Sequence, residues 1–123
     1  MSSLKSQEVE EVLVVYFTDA KILDEARIAL IGKELMDMAA SAATSKKMVL
    51  NFQGVQFMSS AMIGKLVLLN KKCKTDGVVL KFCAISPNVL EVFKITRLNK
   101  VFEIFADEDK AVKSFKKGGG WFG

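Results

Sequence analysis

Short runs rich in β-branched and apolar residues alternate along this chain with segments whose apolar residues recur every third or fourth position. The first pattern suits a strand and the second a helix, and their alternation leaves few architectures open. It predicts an α/β domain with a mixed, mostly parallel sheet of four to five strands and about four helices. Residues 8–17 (EVEEVLVVYF) read as one strand or two short ones, with Thr18 and Asp19 marking the turn that follows. From Asp24 to about Ala43, the side chains of Ile28, Ile31, Leu35, Met38 and Ala42 make one apolar stripe. Asp24 and Glu25 open that helix, where its dipole favours negative charge. Residues 47–52 (KMVLNF) are almost continuously apolar, which predicts a strand buried on both faces at or next to the centre of the sheet.

The connection over residues 53–58 is expected to turn Val55 and Phe57 inward. A second helix follows from about Ser60 to Thr75. Met62, Ile63, Leu66, Val67, Leu68 and Leu69 surround most of its first half, which predicts deep burial there. Lys71, Lys72 and Lys74 suit its C-terminal dipole, and Asp76-Gly77 stops it. Residues 78–84 (VVLKFCA) form another strand. Ser86-Pro87 places a serine cap before a proline at the first position of a third helix, which ends near Asn99. Residues 101–105 are the last strand, and Asp107 caps a final helix with Val112 and Phe115 on its apolar side. By this reading residues 1–8 are an N-terminal segment and residues 9–116 the domain. Residues 117–123 are a flexible glycine-rich tail in which Trp121 and Phe122 pack loosely.

A length of 123 residues fits one domain with one core. The polar N-terminus and the short apolar run over residues 12–17 lack the pattern of a signal peptide or a membrane span, and Lys65 interrupts the run over residues 61–69. The expectation is a cytoplasmic protein with no membrane partner. Cys73 and Cys83 are ten apart and fit no metal or redox spacing, so they read as small buried apolar side chains. Histidine, the commonest acid–base residue and transition-metal ligand, is absent. The composition therefore points to a non-enzyme, with no catalytic residues, no cofactor and no metal. Residues 1–44 carry four basic and eight acidic side chains, whereas residues 45–100 carry ten basic and two acidic ones. The lysines lack the aromatic interleaving of a single-strand binder, so an acidic protein partner is favoured over nucleic acid.

Two hydroxyls, Ser59 and Ser60, stand immediately before the apolar second helix. Either could cap it by accepting a backbone N–H, a bond that stabilises by about 1 kcal/mol. Either could instead accept a phosphoryl group, because the N–H groups and dipole of a helix start tolerate an anion of nearly two charges. The stretch Leu50-Asn-Phe-Gln-Gly-Val-Gln-Phe-Met-Ser-Ser-Ala-Met-Ile-Gly64 resembles the signature of STAS domains in bacterial anti-sigma factor antagonists. In that family an apolar strand and turn run into Asp-Ser-(Ser/Ala)-Gly-(Leu/Ile)-Gly. Residues 79–84, and residues 87–101 with Val92-Phe-Lys-Ile-Thr-Arg-Leu98, resemble the family's next strand and helix.

The resemblance implies a STAS fold and a switch. The unphosphorylated protein binds an anti-sigma factor, often itself a serine kinase using ATP and Mg²⁺, and so frees a sigma factor. Phosphorylation of the acceptor serine ends binding, and a protein phosphatase resets it. By the same alignment the acceptor is Ser60, with Ser59 the lesser candidate. The partner surface includes Ser59, Ser60, Met62, Ile63 and Lys65. Ser59 stands where the family has aspartate and Met62 where it has glycine, which alters the charge beside the phosphate and bulks the first helical turn. Gly64 is retained, which fits a close approach of the helix to neighbouring backbone. The alternative role is a STAS scaffold subunit of a stress-sensing assembly; a simple antagonist would be a monomer or weak dimer. A receiver domain would need an aspartate where the strand ends in Asn51-Phe52. A nucleotide-binding enzyme would need a glycine-rich phosphate loop, and no such motif occurs.

Overall fold

A computed structural model describes residues 4–42 and 44–119. β1 (Leu4–Val9) and β2 (Val12–Phe17) form an antiparallel hairpin that turns through Glu10 and Glu11, both at positive φ (50° and 69°). Two left-handed residues give the tight turn whose twist matches paired strands. Residues 4–8, read from the sequence as an N-terminal segment, thus supply most of β1. They carry little apolar patterning because β1 is an edge strand exposed along most of its length. β2 pairs in parallel with β4 (Lys47–Asn51), β4 with β6 (Val79–Cys83), and β6 with β7 (Glu103–Phe105). The order is β1-β2-β4-β6-β7, which sets the continuously apolar β4 at the centre as expected. Met48, Val49 and Leu50 are fully buried there. β3 (Lys21–Ile22) and β5 (Phe57–Met58) form a separate parallel ribbon.

Three helices, α1 (Glu25–Ser41), α2 (Ser60–Asp76) and α3 (Pro87–Ile95), cover one face of the sheet; α4 (Glu108–Gly119) covers the other. Strand alternation divides the core between them. Val15, Leu50 and Phe82 face the three helices, whereas Val14, Val49 and Cys83 face α4. Phe17 stacks on Phe52 at 4.8 Å, Phe52 meets Phe82 tilted at 5.3 Å, Phe102 stacks on Phe82 at 4.5 Å, and Phe93 meets Phe52 and Phe82 edge-on. Such pairs are worth about 0.5–1.5 kcal/mol each beyond their burial. On the α4 face, Lys81 is buried. Its Nζ donates to Ser114 Oγ at 2.7 Å and lies 4.3 Å from the Phe115 ring centroid.

Caps form where expected at Ser86 and Asp107, and Asp24, read as a first-turn residue, is itself the cap of α1. Asp24 accepts from Arg27 N at 3.0 Å, Ser86 from Val89 N at 3.3 Å, and Asp107 from Lys110 N at 2.9 Å. Other expectations are corrected. The α1 stripe takes in Gly32 and Ala39, while Met38 is only half-buried. The first half of α2 is not buried all round: successive residues rotate by about 100°, so Leu66 and Leu69 point inward while Leu68 is 51% exposed. Phe57, expected inside, is 42% exposed. α3 stops at Ile95 rather than near Asn99, because Arg97 turns left-handed (φ 62°) into a 3₁₀ turn over Leu98–Lys100. β7 is correspondingly shorter than the expected residues 101–105. α4 continues through Gly119; Trp121 and Phe122 lie outside the described residues. Among the described residues, no helix is long and apolar enough to cross a membrane.

Candidate functional site

The site is built by the way the chain leaves β4. Asn51 is buried; its side-chain oxygen accepts from Gln53 N at 2.8 Å and its Nδ2 donates to Glu108 Oε1 at 3.1 Å. A side chain that bonds its own backbone two residues on is a turn former, and here it also ties the turn to the start of α4. Gly54 follows at φ 90°, a conformation open to glycine and strained for other residues. Gln56 N and Phe57 N then donate to Ala20 O at 2.7 and 3.2 Å, and Ser59 N donates to Ile22 O at 3.1 Å. These bonds hold β5 against β3 and so fix where α2 begins.

In that ribbon Ile22 and Met58 point into the core, and Lys21 and Phe57 point out, with Lys21 Nζ 5.8 Å from the Phe57 ring centroid. Leu23, the next residue, is 53% exposed. Beside the ribbon Arg27 grips Asp19 through two nitrogens at 2.6 and 3.0 Å, and this bond holds the Asp19 carboxyl below its usual value.

Ser59 has the extended backbone of an N-cap (φ −80°, ψ 160°), yet its side chain makes no capping bond, and its Oγ is buried without a hydrogen-bond partner. Ser60 is the first helical residue and is exposed. The capping role open to both hydroxyls in the sequence is therefore filled by neither. The first turn of α2 carries no acidic side chain.

The five residues expected at the partner surface divide. Ser59 and Ser60 lie together at the helix start, and Lys65 is half-buried on the α1 side. Met62 and Ile63 belong to the core: they are 0% and 3% exposed, so their place beside Ser60 in sequence does not make them surface for a partner. A helix turns them under the sheet-facing side within one residue of Ala61, which is exposed. Gly64 is exposed, and a Cβ built there meets nothing within 4 Å. The close approach expected at Gly64 occurs instead at Gly32 of α1, where a Cβ would lie 2.9 Å from Lys65 Cδ. The sequence reading missed Leu23 and Phe57 as exposed apolar residues on the segments leading to the helix start, and Leu68 two turns along α2. β3 and β5 are two residues each, too short for an alternation that would tell inward from outward.

Cys73 and Cys83 are buried free thiols, pushed up by burial to about 11 and about 12. Neither is at the site. Among the described residues, no cluster of three His, Cys, Asp or Glu side chains is placed to hold a metal ion.

A family model described as STAS domain matches residues 3–111. The fold is similar to an anti-sigma-factor antagonist (STAS) domain protein from Planctomyces limnophilus, at a TM-score of 0.76 and 21% identity, covering 92% of this chain and 97% of that one. It is similar to a serine-to-glutamate variant of RsbS from Moorella thermoacetica, at 0.77 and 15% identity, covering 96% and 98%. It is also similar to the phosphorylated form of the Bacillus cell fate determinant SpoIIAA, at 0.67 and 17% identity, covering 91% and 98%. At these identities the likeness to the solved structures is one of fold.

Proposed function

The chain belongs to the STAS domain family, and on that premise we propose that it acts as a cytoplasmic anti-sigma factor antagonist switched by phosphorylation of Ser60. Unphosphorylated, it binds an anti-sigma factor that is itself a serine kinase. Transfer of the terminal phosphoryl group of ATP to Ser60 Oγ ends that binding, and a protein phosphatase restores it. The protein is substrate and ligand in this circuit, not catalyst.

One observation carries the choice of residue: the Ser60 hydroxyl is on exposed surface at the first position of α2, whereas Ser59 Oγ is buried. A kinase can reach the first without unfolding anything. The phosphate would sit where the helix dipole offsets part of its charge and no carboxylate in the first turn repels it, so the fold should tolerate it. A partner packed over Leu23, Phe57 and Lys65 would have to desolvate nearly two charges, which is costly.

Incubation with the cognate kinase and ATP, followed by peptide mass mapping, is the direct test. Phosphate is expected on Ser60. Ser60→Ala should bind the kinase and resist modification at unchanged stability, since the hydroxyl is not a cap. Ser60→Asp should stay folded and lose the kinase. Phosphate confined to Ser59 or to a distant serine or threonine overturns the assignment.

A further inference from the structure

The outer seam between α1 and α2 holds a groove of about 230 Å³ lined by Ala29, Gly32, Lys33, Met36, Lys65 and Leu68. Its lining is apolar apart from two lysines, and no carboxylate lines it. Leu68 is half-exposed at its edge. The Lys65 stem runs across Gly32 in the space that a larger side chain on residue 32 would occupy, and Lys65 is half-exposed in the groove lining. Leu68, at the groove's edge, lies two helical turns from Ser60 along α2. Ser60, Gly64 and Leu68 are spaced by four residues and share one face of α2, and all three are exposed.

We propose that this groove receives an acidic amphipathic helix from a protein partner. The apolar stripe of that helix would lie on Ala29, Met36 and Leu68, and its carboxylates would meet Lys33 and Lys65. A helix is the element that suits the seam: side-chain ridges of one helix fit grooves between others, whereas a strand laid there would find no backbone groups to pair with. The acidic character follows from the rim, which offers only cations. Nucleic acid is disfavoured because no aromatic ring lines the groove for base stacking. The inference rests on the reading that the Ser60 face of α2 meets a protein, and it adds which element of that protein docks and where.

The test is an NMR titration of the ¹⁵N-labelled, unphosphorylated protein with a stapled helical peptide of about 16 residues. The peptide carries leucines at i, i+3, i+7 and glutamates on both flanks; a second carries lysines in place of the glutamates. The acidic peptide should give saturable amide shifts over residues 29–36 and 65–68, and the lysine peptide should give none. The double variant Lys33→Glu, Lys65→Glu alters exposed or rim positions and should weaken acidic-peptide binding at least about tenfold. Saturation that maps elsewhere, equal binding of both peptides, or binding untouched by the double variant overturns the proposal. No kinase enters this measurement, so the two readings fail separately. Groove shifts without phosphate on Ser60 keep the groove and overturn the circuit; phosphate on Ser60 with an unshifted groove does the reverse.

Discussion

Glycine inside a helix costs about 1 kcal/mol relative to alanine, because the unfolded chain has more freedom to lose and no side chain is gained. Gly64 lies in the interior of α2 without either usual justification: its backbone is helical, and an added Cβ meets nothing within 4 Å. Gly64→Ala should therefore stabilise the protein by about 0.8–1 kcal/mol. For a domain of this size that raises the thermal midpoint by about 3–6 °C and the urea midpoint by about 0.5 M. Gly77→Ala is the control of opposite sign. Gly77 closes α2 in the left-handed region (φ 74°), with its N–H on Cys73 O and Lys74 O, and alanine there should cost about 1 kcal/mol. Gly32→Ala should gain less than Gly64→Ala, since the Lys65 stem must move aside. Circular dichroism melts and urea titrations read all three. Destabilisation by Gly64→Ala, or the same sign at Gly64 and Gly77, would refute the reasoning. The same variant then serves as a probe of function. If a partner approaches the α2 backbone beside Ser60, Gly64→Ala should be phosphorylated more slowly by the cognate kinase although it is better folded, so misfolding cannot explain the loss.

Two further outcomes are expected. The Tyr16 hydroxyl donates to Glu108 at 2.6 Å, and burial first, then that carboxylate, push it up to about 12; the Cys83 thiol is raised similarly by burial. Groups whose folded pKa is raised keep their proton longer in the native state, so their contribution is whole below the unfolded values and is lost as pH rises. Urea stability should thus fall between about pH 9 and pH 12, less steeply in Tyr16→Phe, and Ellman's reagent at pH 8 should label Cys73 and Cys83 only in denaturant; rapid native labelling would contradict their burial. The double variant Leu23→Ser, Phe57→Ser removes two exposed side chains, so it should change stability by no more than about 0.5 kcal/mol at each site yet weaken kinase binding at least about tenfold. Unchanged binding by titration calorimetry would place the partner elsewhere.

Periodicity and punctuation determined much of this protein before any packing was known. The continuous apolarity of residues 47–52 reflects a strand with protein on both faces, and the structure puts β4 at the centre of the sheet for that reason. Ser86-Pro87 and Asp107 marked two helix starts because a cap is a local bond, complete within four residues. The pair Ser59-Ser60 could be placed at a helix start on the same grounds, but not divided. Which hydroxyl is buried depends on β5 lying against β3, and that contact joins residues more than thirty apart through bonds to Ala20 and Ile22. The same holds for the surface around them. Six nearly consecutive apolar residues in α2 are equally apolar in sequence; only the neighbours of the helix decide that Met62, Ile63, Leu66 and Leu69 face the core while Leu68 faces solvent. β1 and the β3–β5 ribbon left no pattern, because an exposed edge strand and a two-residue strand are specified by their partners. Local bonds and long apolar periods are written in the chain, whereas the exposure of a single side chain is a property of what the fold brings against it.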